Sequence, residues 1–129
     1  MLTHIHPKLP SRDLAKTRSY YVNMLEFEEV SDYGDYLILS KDHIEIHFFL
    51  FSDLIPSEND GQVYIRCSDI GNWYKHLLDR GVPIHPNDPL SVKPWGQKEF
   101  SLLDPDSNCL TIGETYDAGK AGRHQQNLF

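Results

Sequence analysis

The sequence predicts an α+β fold: two tandem βαβββ modules forming a cupped mixed sheet with helices outside. Three observations predict it. The element order β-α-β-β-β, read from hydrophobic periodicity and turn signals, occurs twice across one polar stretch. Asp13-Leu14 and Asp69-Ile70 mark equivalent helix starts in the two halves. In four of the strands alternate residues are apolar, as in a sheet with one face covered by helices.

In chain order, Leu2 to Leu9 reads as a strand ended by Pro10 and Ser11. Ser11 or Asp13 can cap a helix running to about Leu25, with Leu14, Tyr21 and Leu25 on one face. Phe27 to Asp32, Tyr36 to Ser40 and Ile44 to Phe51 read as strands, separated by Gly34 and by Lys41-Asp42-His43. After a loop rich in Ser, Pro, Asn and Asp, Gln62 to Cys67 is the next strand. Asp69 to Arg80 is a helix with Ile70, Trp73, Leu77 and Leu78 inward, stopping at Gly81. Val82 to His85 reads as a short strand before a Pro-rich loop. The last two strands, Glu99 to Leu103 and Cys109 to Gly113, form a hairpin about Asp104-Pro105-Asp106-Ser107-Asn108. One domain over residues 1–129 is expected, with modules at about 2–51 and 62–114, a linker at 52–61 and a tail at 115–129.

Composition narrows the function. The 129 residues carry a formal charge of −7, which argues against nucleic acid or an anionic membrane as partner and is compatible with a cationic ligand. No apolar run approaches spanning length and Met1-Leu2-Thr3-His4 begins no secretory signal, so a cytoplasmic location is expected. Cys67 and Cys109 form no metal or redox motif.

Residue parity sorts the strand faces. Ile44, Ile46, Phe48 and Leu50 face a helix and leave Glu45, His47, Phe49 and Phe51 opposite. Val63, Ile65 and Cys67 leave Gln62, Tyr64 and Arg66; Leu110 and Ile112 leave Cys109, Thr111 and Gly113. Ile5, Pro7 and Leu9 leave His4, His6 and Lys8. The second face therefore gathers His, Glu, Gln, Tyr, Arg, Thr and Phe. Simple solvent exposure would waste Phe49, Phe51, Tyr64 and Trp95 in water, so a concave pocket is expected. Trp95-Gly96, just before the hairpin, sets a large π surface beside a residue with no side chain.

Together, Leu9-Pro10-Ser11-Arg12-Asp13-Leu14, Tyr20-Tyr21 followed by Leu25 and Phe27, and Trp95-Gly96 before Asp104-Pro105-Asp106-Ser107-Asn108 carry a resemblance. From about Thr3 to Glu114 the chain is similar to the vicinal oxygen chelate (glyoxalase/bleomycin resistance/dioxygenase) superfamily, and within it to bleomycin-resistance proteins. The resemblance implies homodimers with clefts built from both chains, often with a swapped first strand. It also implies that metal enzymes of the superfamily would place ligands at His6, Glu45, Gln62 and Thr111. Thr111 stands where those enzymes carry a carboxylate, and a neutral hydroxyl supplies neither charge nor donor strength. His47 faces the same way, one pleat removed. His4 or His6 could be a ligand, a hydrogen-bond partner of a ligand, or a satisfied histidine.

The function so implied is non-enzymatic binding of a planar, cationic antibiotic of the bleomycin type, or of a planar metabolite, with no resident cofactor. Phe49, Tyr64 and Trp95 offer stacking surfaces, Glu45 and Glu99 attract a cation, and Gly96 opens the backbone to the ligand. His47 is a further lining residue. Arg66 adds a positive charge that would pair with Glu45 or Glu99 or bind an anionic group. The alternative is a metal-dependent lyase or isomerase, thiol transferase or dioxygenase, holding a divalent ion with His6, Glu45 and Gln62.

Overall fold

The computed structural model describes residues 1–117 and contains two mixed four-stranded sheets and two helices. The chain divides into two compact units, Met1–Gln62 with Asp104–Asn108, and Val63–Leu103 with the residues from Cys109 on. The tail expected over 115–129 lies outside the described residues beyond position 117.

In the first unit β1 (Lys8–Ser11) leads to α1 (Leu14–Ser19), which continues as a π-helical turn over Tyr20–Met24. Strands β2 (Glu28–Asp32), β3 (Tyr36–Lys41) and β4 (Ile44–Leu50) follow, and the sheet order is β1-β4-β3-β2. Asp13, not Ser11, caps the helix: its carboxylate accepts from the Ala15 and Lys16 amides at 3.0 and 3.3 Å. Ser11 is fully buried and its hydroxyl meets Thr17 Oγ1 at 2.6 Å. Leu14, Thr17, Tyr21 and Leu25 form the buried helical stripe, with Tyr21 against Phe27 and Phe48.

The first strand is shorter and later than its sequence suggests. It begins at Lys8 and runs through Pro10, pairing parallel to β4 from Lys8 opposite His47 to Ser11 opposite Leu50. Pro10 is tolerated because β1 is an edge strand, where an amide is not required on the open side. The ladder's last contact is Pro7 O accepting from the His47 amide at 3.0 Å, and Pro7 has no N–H to extend it. Leu2 and Ile5, expected in the strand, are 101% and 95% exposed.

The segment Asp104–Asn108 is held by its own side chains and by the first helix. Asp104 Oδ1 accepts from the Asp106 and Asn108 amides, and Oδ2 from Tyr21 Oη at 2.8 Å and Asn108 Nδ2 at 2.9 Å. Burial pushes the Asp104 carboxyl above its ordinary pKa, opposed by these bonds. Asp106 Oδ1 accepts from Arg12 Nε at 2.7 Å, and Asn108 Nδ2 also reaches Pro10 O at 3.0 Å. The left-handed residue of this turn is Ser107, with φ 65°.

In the second unit β5 (Gln62–Arg66) precedes α2 (Ile70–Asp79), then β6 (Ser91–Val92), β7 (Gln97–Leu103) and β8 (Cys109–Thr115). The sheet order, β5-β8-β7-β6, repeats that of the first. The Glu114 carboxylate caps α2 by accepting from the Asp69 and Ile70 amides at 2.8 and 3.2 Å. Gly81, at φ 76°, ends the helix: its amide and that of Val82 bond back to Leu78 O and Leu77 O, each at 3.0 Å. Ile70 and Leu77 are fully buried, and Trp73 and Tyr74 pack on Phe100 with centroids 5.9 and 4.9 Å apart.

Two expectations change here. Leu78 is half exposed, because it lies a full residue step (100°) around the helix from Leu77; Tyr74 occupies the inward position instead. Val82 to His85 is not a strand. Pro83 cannot donate to a ladder, and the strand that pairs β7 is Ser91–Val92, opposite Glu99 and Lys98. Among the described residues no helix is long and apolar enough to cross a membrane.

Candidate ligand-binding site

Phe100 of β7 packs on α2, so Gln97, Glu99 and Ser101 occupy the opposite face. On β8 that face carries Cys109, Thr111, Gly113 and Thr115: Glu99 registers with Gly113, Ser101 with Thr111 and Gln97 with Thr115. Glu99 is the anchor of this surface. Although only 5% exposed, its Oε2 accepts from Tyr64 Oη at 2.7 Å and from Trp95 Nε1 at 3.2 Å. Two aromatic rings are thus tied by their polar ends to one carboxylate. The rings themselves stay open, Trp95 being 64% and Tyr64 49% exposed. Burial, with Glu99 accepting its hydrogen bond, raises the Tyr64 phenol pKa, so the donor stays protonated.

Arg66 borders the pair. Its guanidinium donates to Gln97 Oε1 at 2.5 Å and Thr115 Oγ1 at 2.6 Å, and lies 5.9 Å from the Tyr64 ring centroid. The expected partner was Glu45 or Glu99; these neutral side chains and the ring hold it in place. Gly96 has a specific backbone duty. It sits at φ 78° in the turn before β7, with its amide bonded to Lys93 O and its carbonyl to the Tyr116 amide. Gly113 was grouped on this face from the sequence with no role attached. Its missing Cβ is what admits Tyr64, whose hydroxyl oxygen lies 1.9 Å from where that carbon would be.

Of the seven residues expected to line a binding site, Tyr64, Arg66, Trp95, Gly96 and Glu99 thus belong to one continuous surface of the second unit. Tyr64, Trp95 and Glu99 are directly bonded. His47 and Phe49 lie on β4 of the first unit, both half-buried. There His47 Nε2 meets Glu45 Oε2 at 2.6 Å, and Tyr36 Oη meets His47 Nδ1 at 2.7 Å. His6 Nε2 lies 3.3 Å from the same Glu45 oxygen, and its ring stacks on His47 with centroids 5.1 Å apart. The His47 hydrogen bond, helped by the nearby charge of His6, holds the Glu45 carboxyl below the usual carboxylate range.

The four-strand metal set that the resemblance implies does not fit these residues well. Thr111 Oγ1 is engaged with Ser101 Oγ at 3.0 Å, and Ser101 donates in turn to Asp88, whose other oxygen accepts from Lys93 at 2.6 Å. Gln62 is an exposed neutral amide at the start of β5.

The repeated four-stranded sheets, each with strands in the order one, four, three, two, define a paired βαβββ protein. The chain belongs to the Glyoxalase/Bleomycin resistance protein/Dioxygenase superfamily, whose family model matches residues 2–112. It is 26% identical over 122 residues to a bleomycin resistance protein of Geobacillus stearothermophilus, covering 82% of this chain and 92% of that one. A bleomycin resistance protein of Klebsiella pneumoniae is 26% identical over 114 residues, covering 82% and 87%. Among solved structures, a bleomycin-binding protein complexed with bleomycin superposes with a TM-score of 0.79 at 24% identity, covering 88% of this chain and 99% of that one. A bleomycin-binding protein from Streptomyces verticillus complexed with copper(II)-bleomycin gives 0.73 at 23%, covering 91% and 99%. At these identities the structural likeness concerns the fold.

Proposed function

We propose that the protein is a cytoplasmic, non-enzymatic binder that sequesters a planar, cationic small molecule of the bleomycin type, or a planar metabolite of similar shape and charge. One observation carries this reading: the exposed faces of Trp95 and Tyr64 are fixed by hydrogen bonds to the single buried carboxylate of Glu99. Immobilised aromatic faces stack on a flat ligand without losing rotamer entropy at binding. A carboxylate beneath them attracts a cation, and the overall charge of −7 speeds its arrival. Arg66 would receive an anionic or carbonyl group of the ligand. The relatives named as bleomycin resistance proteins support the ligand class.

The binder acts as a homodimer in which the residues preceding His6 reach a second copy. Leu2 and Ile5 support this: two large apolar side chains left almost fully exposed before the first strand are apolar surface that a second copy would cover.

The experiment is a tryptophan fluorescence titration with copper-loaded bleomycin, beside thermal melts with the same ligand. Saturable quenching and a rise in Tm that grows with ligand concentration are expected. No quenching and no shift at millimolar ligand would remove the drug from the proposal, and the same null result across a panel of planar cations would end it.

A further inference from the structure

A chain of polar side chains in the second unit ends on the same face as the aromatic site. The Lys93 ammonium donates to Asp88 Oδ1 at 2.6 Å, Ser101 Oγ donates to Asp88 Oδ2 at 2.5 Å, and Thr111 Oγ1 lies 3.0 Å from Ser101 Oγ. Ser101 is 3% exposed, whereas Thr111 is half-buried. Resting on the planar-cation reading of the aromatic site, we propose that this relay fixes Thr111 as a hydrogen-bond acceptor. It thereby selects ligands that carry an N–H group beside their ring, and Thr111 is a specificity-determining residue.

The direction of the relay follows from its protons. A hydroxyl has one hydrogen to give, and an ionised carboxylate only accepts. Ser101 therefore commits its hydrogen to Asp88, and the hydrogen between the two hydroxyls must come from Thr111. Thr111 is left with lone pairs and no further hydrogen. Cys109 Sγ, 3.9 Å away, is a weak donor that occupies at most one of those lone pairs. Asp88 stays ionised: burial works against its charge, but the bonds from Lys93 and Ser101 outweigh it and hold the carboxyl below its ordinary pKa.

The backbone holds the relay in place. The Ser101 amide donates to Asp88 O at 3.1 Å and Ser101 O accepts from the His85 amide at 2.9 Å, so the loop after α2 is stitched to β7 at the residue whose hydroxyl Asp88 takes. Lys93 follows β6 directly, and its amide donates to Gln97 O at 2.7 Å. Ser101 registers with Thr111 and Glu99 with Gly113, which makes Glu99 and Thr111 diagonal neighbours, about 7–8 Å apart on one face. A flat cation stacked on Trp95 and Tyr64, with its charge toward Glu99, brings an amino group on its edge within reach of Thr111.

The test uses proflavine and acridine orange, flat three-ring cations that differ in bearing amino or dimethylamino groups on their edges. Dye fluorescence anisotropy gives both affinities, and circular dichroism checks that each variant is folded. Wild type should favour proflavine about tenfold. Thr111→Val should weaken proflavine by about the same factor and leave acridine orange nearly unchanged, while Thr111→Ser keeps the preference. Asp88→Asn tests the relay itself. With Lys93 holding the amide oxygen, the amide nitrogen donates to Ser101, the relay reverses, and Thr111 presents its hydrogen to the ligand. The preference for proflavine should then vanish with Thr111 intact, whereas a merely structural role for Asp88 would weaken both dyes alike. Equal affinity of wild type for the two dyes, or a preference that survives Thr111→Val or Asp88→Asn, would overturn the acceptor role and leave the planar-cation reading standing. Binding of neither dye by folded wild type would overturn both together.

Discussion

Tyr64 occupies the space that a side chain at Gly113 would need. A Cβ on Gly113 would stand 1.9 Å from Tyr64 Oη and 2.5 Å from its Cζ, closer than any real contact. The backbone there is ordinary strand, so the glycine is required by packing and not by its dihedral angles. Gly113→Ala must therefore expel the ring, break the bond to Glu99 and lower stability by about 1–3 kcal/mol. Urea titration reads the stability change. Fluorescence titration should show weakened aromatic-ligand binding at the same time.

Glu99 holds two donors on one oxygen, so its charge and its acceptor role can be separated. Glu99→Gln keeps an acceptor for Tyr64 and Trp95 and removes the charge. Affinity for a planar cation should fall about tenfold, near 1.4 kcal/mol, while affinity for a neutral planar compound changes little. Equal losses for both ligands would mean that Glu99 acts through ring positioning alone.

The binding surface was only partly legible in the sequence, and the parts that were not have physical causes. Strand parity placed Tyr64, Arg66 and Glu45 with His47 correctly on the faces opposite the helices, because alternation is local. Gly113's role is space withheld from a side chain, and only the position of Tyr64 reveals it. The meeting of His6 with Glu45 and His47 depends on the parallel register of β1 with β4, which no turn between adjacent strands dictates. Val82 to His85 had a strand's composition but Pro83 denied it a ladder. At Asp104–Asn108 the turn chemistry was readable, since Asp104 does cap the amides that follow it. Its bond to Tyr21, 83 residues earlier, was not.

That bond can be tested directly. Tyr21 is fully buried and its hydroxyl pKa is pushed well up by burial and by Asp104, so it remains a donor throughout the accessible pH range. Tyr21→Phe leaves the ring and deprives a buried carboxylate of one of its partners. A loss of about 1–3 kcal/mol is expected by chemical denaturation. Asp104 should titrate at still higher pH in the variant, visible in the carboxyl carbon shift.

Lys98 gives a pH dependence whose sign can be worked out. It lies on the α2 side of β7, 6% exposed, and burial lowers its pKa to about 8, partly offset by Glu114. Below pH 8 the amine is charged in both folded and unfolded chains, so its contribution is constant and unfavourable. Between about pH 8 and the unfolded value near 10.4, the unfolded chain binds more protons, and stability from this group rises with pH. The difference in unfolding free energy between wild type and Lys98→Met should therefore move in favour of wild type across that window. A flat difference would show that the ammonium is well solvated.

The two tryptophans separate binding from folding. Trp73 sits on α2 against Phe100, its ring nitrogen buried, so Trp73→Ala opens a void in the second unit's core. A destabilisation of about 3–5 kcal/mol is expected, enough to unfold a marginal domain. Trp95 is largely exposed and attached through one hydrogen bond to Glu99, so Trp95→Ala removes little buried surface. Its Tm should stay within a few degrees of wild type while stacking on a planar ligand is lost, weakening binding tenfold or more. If Trp95→Ala melted early with Trp73→Ala, the indole would be a structural strut. If it bound as tightly as wild type, the ligand would lie elsewhere. Only the combination of a wild-type melt with lost quenching marks Trp95 as a wall of the binding site.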